Sequence, residues 1–240
     1  MVDRAYSDED LASWYDVLNQ WGADNDFYLD LVRSANAVLD VGCGTGVLLH
    51  RARDAGHTGR LCGLDPSAGM LAHARERADV DWVLGDLASV DWDQEFDLAV
   101  MTGHAFQVLL SDDELRTSLA AVRAALTEGG RFAFETRNPL VRPWERWTPE
   151  HGREVTNAAG ATVRVEHEVQ AVEGDVVRMA ETFIGAGGRE VSTGSLRFLD
   201  ADRLAEFLDD AGLVVEEQFG DWDRSPLTAT SREIITIARR

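Results

Sequence analysis

From residue 36 the chain alternates short apolar runs with stretches whose apolar positions recur every three or four residues. The runs AVLDV, RLCGLD, VDWVLGD, FDLAVMT and GRFAFET are almost continuously apolar, as strands covered on both faces are. Strands that alternate with helices predict a parallel sheet between two helical layers. The segment SDDELRTSLAAVRAALTEGG is the clearest helix: Ser111 and Glu114 stand at capping-box spacing, Leu115, Leu119, Val122 and Leu126 share a face, and Gly129 and Gly130 predict its end.

Other periods flank this core. Near the amino terminus Ser7 and Asp10 precede Leu11, Trp14, Leu18 and Trp21 at helical spacing, and FYLDLV predicts a second short helix. After GRFAFET and NPLVRPWERWTPE the pattern switches to period two, broken by Gly-Asp and Gly-Gly pairs, which predicts antiparallel strands over about 153–197. A helix in DADRLAEFLDDAG and strands in LVVEEQF and EIITIAR complete the chain. The expected organisation is a helical segment at 1–34, an α/β domain from 35–150 and 198–240, and a β insertion at 151–197.

Composition narrows the partners. The 240 residues hold 43 acids against 23 bases, a formal charge of -20 that opposes nucleic acid and anionic lipid. There is no lysine, so Schiff-base chemistry and a phosphate-gripping lysine are excluded. Two cysteines in a chain with room for a full core point to a reducing compartment, and no apolar run approaches a membrane span. A soluble, cytoplasmic protein is the expectation. The six histidines lack metal-ligand spacing, so no metal is expected.

The candidate chemistry gathers at strand ends. In VLDVGCGTGVLLHRARDAG, Gly42, Gly44 and Gly46 alternate behind a strand and open a helix, a turn that brings bare backbone close to a ligand. Asp40, two residues before the first glycine, would oppose a pyrophosphate and suits a ligand carrying an ammonium or sulfonium. Asp65 in GLDPS ends the second strand, where a carboxylate can accept from both hydroxyls of a ribose. Asp86 in LGDL ends the third, where it can accept from an adenine amino group beside the Leu87 backbone. Met70, one turn into the following helix, is either an adenine contact or core. His104, after the fourth strand, stands where a general base would meet a substrate. Glu135 is the competing base, with an ion pair to Arg137 or Arg142 as its other reading. Trp144 and Trp147 either wall a substrate pocket or anchor the insertion.

Taken together these motifs resemble the class I S-adenosylmethionine-dependent methyltransferases, over residues 36–138 and the carboxy-terminal helix and strands. The resemblance implies a doubly wound seven-stranded sheet in the order 3-2-1-4-5-7-6 with one strand antiparallel, and S-adenosyl-L-methionine as cofactor. It implies that Asp40, Gly42, Cys43, Gly44 and Gly46 surround the methionine part, that Asp65 with Pro66 meets the ribose, that Met70, Asp86 and Leu87 meet the adenine, and that Met101 and Thr102 lie beside the sulfonium. In finer outline the chain is similar to bacterial sugar N,N-dimethyltransferases, whose amino-terminal helical lid carries a Tyr-Asp pair, matched by Tyr15 and Asp16, and which carry a β insertion after the fifth strand. The activity implied is methyl transfer to nitrogen or oxygen of a small-molecule acceptor by in-line displacement; by its position His104 is the candidate catalytic base, with a water as the alternative proton acceptor and a structural donor as the other reading of the histidine. A nicotinamide-dependent oxidoreductase and a non-catalytic binder of the same cofactor are the alternatives.

Overall fold

The computed structural model describes residues 14–240. Two helices, α1 (Tyr15–Leu18) and α2 (Ala23–Arg33), lead into β1 (Ala37–Val41), α3 (Val47–Asp54), β2 (Arg60–Asp65), α4 (Ala68–Ala74), β3 (Asp81–Leu84) and β4 (Phe96–Met101). Then come α5 (Asp112–Ala125) and β5 (Leu126–Arg137), the four strands β6 (Arg153–Thr156), β7 (Thr162–Glu173), β8 (Val176–Gly185) and β9 (Gly188–Arg197), and finally α6 (Ala201–Asp210), β10 (Val214–Phe219) and β11 (Glu233–Arg239). One sheet has seven strands in the order β10-β11-β5-β4-β1-β2-β3, and a second holds β6 to β9. Counted along the large sheet this is 3-2-1-4-5-7-6, and β11 is the strand that runs antiparallel to both of its neighbours.

Alternation along each strand builds two core layers. Leu39, Ala99, Phe132 and Phe134 face α5 and α6, where Leu115, Leu119, Leu204 and Phe207 meet them. Their neighbours Val38, Leu98, Val100 and Ala133 face the opposite way, onto Leu31 and Val32 of α2 and Leu48 and Leu49 of α3. Each such Leu, Val or Phe contributes roughly 1.5–3 kcal/mol over leaving it exposed. The helices are cued locally: Ser111 and Glu114 form the reciprocal cap of α5, and Asp200 accepts from the Arg203 N–H to start α6.

Several boundaries differ from the sequence pattern. Of the first predicted helix, Ser7, Asp10 and Leu11 lie outside the described residues. The described part is a single turn that ends at Leu18, where both the backbone and the side-chain amide of Asn19 donate to the Tyr15 carbonyl. Trp21 lies beyond it and donates from Nε1 to Asp26 at 2.7 Å. The second helix is longer than FYLDLV, beginning at Ala23, where the Gly22 N–H is held by the Asn25 side chain. Helix α5 stops at Ala125 rather than at the glycine pair, because Leu126 turns extended and pairs with Phe96. No helix joins β3 to β4; that link is a loop.

The second sheet is antiparallel throughout, as the period-two pattern predicts. Its small core of Val163, Val165 and Phe183 is completed by Trp14 and Leu18 from the amino-terminal segment. At its other end Arg197 ties it to the large domain, bonding Asp112 of α5 at 2.6 Å while its carbonyl accepts from Gln107 after β4, and it also holds Asp175 in the β7–β8 turn at 2.7 Å. Trp144 and Trp147 pack on Phe198 at 4.6 and 6.0 Å between ring centres, which makes them anchors of the insertion's return. No helix among the described residues is long and apolar enough to cross a membrane.

Candidate active site

The turn after β1 folds back on the end of β2. The N–H groups of Gly42 and Cys43 both donate to the Leu64 carbonyl, and the Gly44 N–H donates to Asp65 Oδ2 at 2.8 Å. All three turn glycines have positive φ, between 56 and 79°, a conformation in which a side chain would be strained. They face different surroundings. A β-carbon on Gly44 would lie 3.7 Å from the Tyr15 ring, whereas one on Gly46 would lie 2.4 Å from Trp82. Gly46 therefore serves close packing of α3 on the sheet, and the Cys43 side chain is buried with Leu71, Ala74 and Trp82 on that same inner side. From these two residues only backbone can meet a ligand in the crevice.

Tyr15 lies against two of the strand-end turns. Its ring stands over Gly44, and a β-carbon on Gly103 would be 3.5 Å from its hydroxyl, so one side chain spans the turns after β1 and β4. The neighbouring Asp16 accepts from the Thr45 hydroxyl at 2.6 Å and fastens α1 to the glycine turn.

Beneath this turn Asp40 is only 1% exposed, and its Oδ1 has no hydrogen-bond partner among the described residues. Burial, with the negative charges of Asp65 and Glu135 adding to it, pushes its carboxyl up to about 7. A buried carboxylate oxygen left unpaired is costly, and a cationic donor from a ligand would satisfy it. Asp65 is buried too, which raises its carboxyl, while the N–H groups of Ser67 and Gly44 pull the other way. The cap of α4 belongs to Ser67, whose hydroxyl accepts from the Met70 N–H.

The remaining positions lie around the same strand ends. Pro66 and Asp86 are exposed, and Asp86 accepts from the Ala88 N–H in a local turn. Leu87, Met70 and Met101 are buried. Thr102 is half-buried, and its carbonyl accepts from the Ala105 N–H.

A second group of acids flanks the end of β4. Gly103 and His104 are both left-handed, with φ of 64 and 62°, and the His104 N–H donates to Glu135 Oε1 at 2.6 Å. The other oxygen of Glu135 accepts from the Tyr28 hydroxyl. Glu135 therefore makes no ion pair with Arg137 or Arg142: Arg137 turns to Gln107 at 3.0 Å and lies over Trp147, and Arg142 reaches Glu145. Burial raises the carboxyl of Glu135 against the opposing pull of His104 and Tyr28, and burial beside that carboxylate raises the Tyr28 phenol further still. The imidazole of His104 meets Glu233 at 2.9 Å through Nε2. Sequence reasoning passed over Tyr28 and Glu233. Their only local sign is polarity at the edge of an apolar pattern, an aromatic hydroxyl on the inner face of α2 and an acid opening β11.

The chain is similar to known methyltransferases. Residues 38–130 match a family described as a methyltransferase domain. The cypemycin N-terminal methyltransferase of Streptomyces sp is 26% identical over 100% of both chains. A dTDP-4-amino-2,3,4,6-tetradeoxy-D-glucose N,N-dimethyltransferase of Saccharopolyspora spinosa is 27% identical over 86% of each. Among solved structures, SAM-bound CalS10, an amino pentose methyltransferase from Micromonospora echinaspora, is 26% identical with a TM-score of 0.67, covering 92% of this chain and 93% of that one. Other curated relatives are matched over only 35–58% of their own length.

Proposed function

From the premise that this chain is an S-adenosylmethionine-dependent methyltransferase, we propose that it transfers a methyl group by in-line displacement to a nitrogen of a small-molecule amine, with oxygen as the second choice. The observation that carries the reading is the partnerless Asp40 oxygen, buried at the strand ends beside the glycine turn. It fits the ammonium of a bound amino acid. Asp40 and the backbone of Gly42, Cys43, Gly44 and Gly46 would hold the methionine part, Asp65 with Pro66 the ribose, Met70, Asp86 and Leu87 the adenine, and Met101 and Thr102 the neighbourhood of the sulfur. When bound, S-adenosyl-L-methionine supplies a methyl group already activated on a sulfonium, and S-adenosyl-L-homocysteine remains.

The chain's own task is then orientation and exclusion of water, effects that together supply roughly 7–11 kcal/mol in well-ordered reactions. Tyr15, α1 and the β6 to β9 sheet form the cover. His104 takes the proton that the acceptor must lose. The choice of nitrogen rests on Glu135 and Glu233, which surround that position with negative charge and favour a cationic acceptor, and on the names of the relatives, which act on an amino terminus and on amino sugars. The free, buried thiols of Cys43 and Cys62 fit work in the reducing cytoplasm.

The test is release of S-adenosylhomocysteine over a panel of amino sugars, peptides with a free amino terminus and their hydroxyl counterparts. Release with amines alone is expected. Release only with hydroxyl acceptors would move the reading to oxygen, and tight cofactor binding without turnover on any acceptor would favour a binder.

A narrower expectation concerns Asp65. Both of its oxygens already accept from backbone, and each retains a lone pair for a ribose hydroxyl. Asp65→Ala should weaken S-adenosylhomocysteine binding by about 1–3 kcal/mol, the usual range for hydrogen bonds to a charged group. Calorimetry on the folded variant decides; unchanged affinity would leave Asp65 as a tether of the glycine turn alone.

A further inference from the structure

We propose that Glu233 is a positioning residue for the transfer, holding the His104 ring by Nε2 in the tautomer that leaves Nδ1 as the proton acceptor. The inference rests on the reading of His104 as the group that receives the acceptor's proton. The two residues are 129 positions apart and arrive from different elements, Glu233 at the start of β11 and His104 in the turn after β4. Their side chains are 20% and 19% exposed, so the contact is sheltered yet not sealed from solvent.

His104 is restrained twice. Its backbone sits at φ 62°, where a side-chain-bearing residue is strained and persists only when the surroundings hold it. Glu135 supplies that hold by accepting the His104 N–H, and Glu135 is itself fixed by the Tyr28 hydroxyl from α2. Glu233 then fixes the ring.

The chemistry follows from the inventory of the ring. A neutral imidazole has one N–H and one lone pair, and an ionised carboxylate can only accept. Nε2 in contact with Glu233 is therefore the N–H, and Nδ1 carries the lone pair. When the acceptor amine gives up its proton, the Nδ1 lone pair forms the new N–H bond and the acceptor nitrogen keeps the electron pair of the bond that breaks. The imidazolium so formed is opposed by the Glu233 carboxylate and returns its proton to solvent.

The experiment is long-range proton–nitrogen NMR on ¹⁵N-histidine-labelled wild type, Glu233→Gln and Glu233→Leu, with and without S-adenosylhomocysteine, alongside turnover with a free-amine tripeptide and a dTDP-linked 4-amino sugar. Wild type should show the Nε2–H tautomer. The glutamine variant, whose amide oxygen still accepts, should keep it, and the leucine variant should mix tautomers. Turnover should fall about 10- to 100-fold in the leucine variant and less in the glutamine variant, with S-adenosylhomocysteine affinity near wild type. An Nδ1–H tautomer in wild type would overturn the proposal, as would an unchanged tautomer in the leucine variant. Wild-type turnover in Glu233→Leu beside an impaired His104→Asn would remove Glu233 alone; wild-type turnover in His104→Asn would remove the underlying reading of the histidine.

Discussion

Asp40→Asn is expected to raise the melting temperature of the ligand-free protein at pH 8 and, in the same protein, to weaken S-adenosylhomocysteine binding about 10²- to 10³-fold. The two effects share one cause. Asp40 is enclosed, one of its oxygens is unpaired, and its carboxyl is raised from 3.8 to about 7. A group whose value is higher in the folded state contributes stability that is fully present below the unfolded value and is lost as pH rises through the folded one. The stability gap between variant and wild type should therefore open between about pH 4 and 7 and stay level above. The difference between 3.8 and about 7 corresponds to an upper bound of roughly 4 kcal/mol. A fraction of that moves melting by on the order of 5 °C in a chain of this size. Binding moves the other way, because the asparagine leaves the ligand's ammonium without its counter-charge, and breaking a buried pair costs about 3–5 kcal/mol. Melting curves at pH 4 and 8 with calorimetric titrations check both halves. A variant less stable than wild type at pH 8, or one of undiminished affinity, would sink the account.

His104→Asn should lower turnover by about 10²- to 10⁴-fold, the range a general base contributes, with S-adenosylhomocysteine affinity hardly changed. Asparagine is the informative replacement. It tolerates the left-handed backbone better than other residues with a side chain, and its N–H can still reach Glu135, so the variant removes the ring and little else. If the ring only orients the acceptor, the loss should appear mainly in KM. Steady-state kinetics on the responsive amine separate the two, and wild-type kcat and KM would take His104 out of the site.

The strand-by-strand pattern makes most of the fold legible in the sequence, because both faces of the large sheet are covered and its strands read as apolar runs. The antiparallel insertion announced itself by its period. Boundaries set by tertiary pairing were not legible: Leu126 continues the helical face of α5 in sequence, yet pairing with Phe96 claims it for β5. In the candidate site, Asp40 and the glycines stood out through local spacing. The division of labour among the glycines did not, since Gly46 is required by Trp82, 36 residues later in the chain, whose ring occupies the space a β-carbon would need. The partners of Glu135 are not legible for a similar reason. Arg137 is nearer in sequence, but it is drawn to Gln107 and Trp147, and the buried carboxylate is left to Tyr28 and the His104 backbone.

The one-turn helix α1 has a consequence for anyone who would re-engineer the acceptor. Asp16 fastens it to Thr45 in the glycine turn, while Trp14 and Leu18 complete the interior of the four-stranded sheet. A chimera that grafted only the 151–197 segment from another enzyme would strand Trp14 and Leu18 against a foreign surface and slacken the grip of Tyr15 on the crevice. The exchangeable unit is discontinuous: a productive graft must carry the amino-terminal segment together with the sheet it serves.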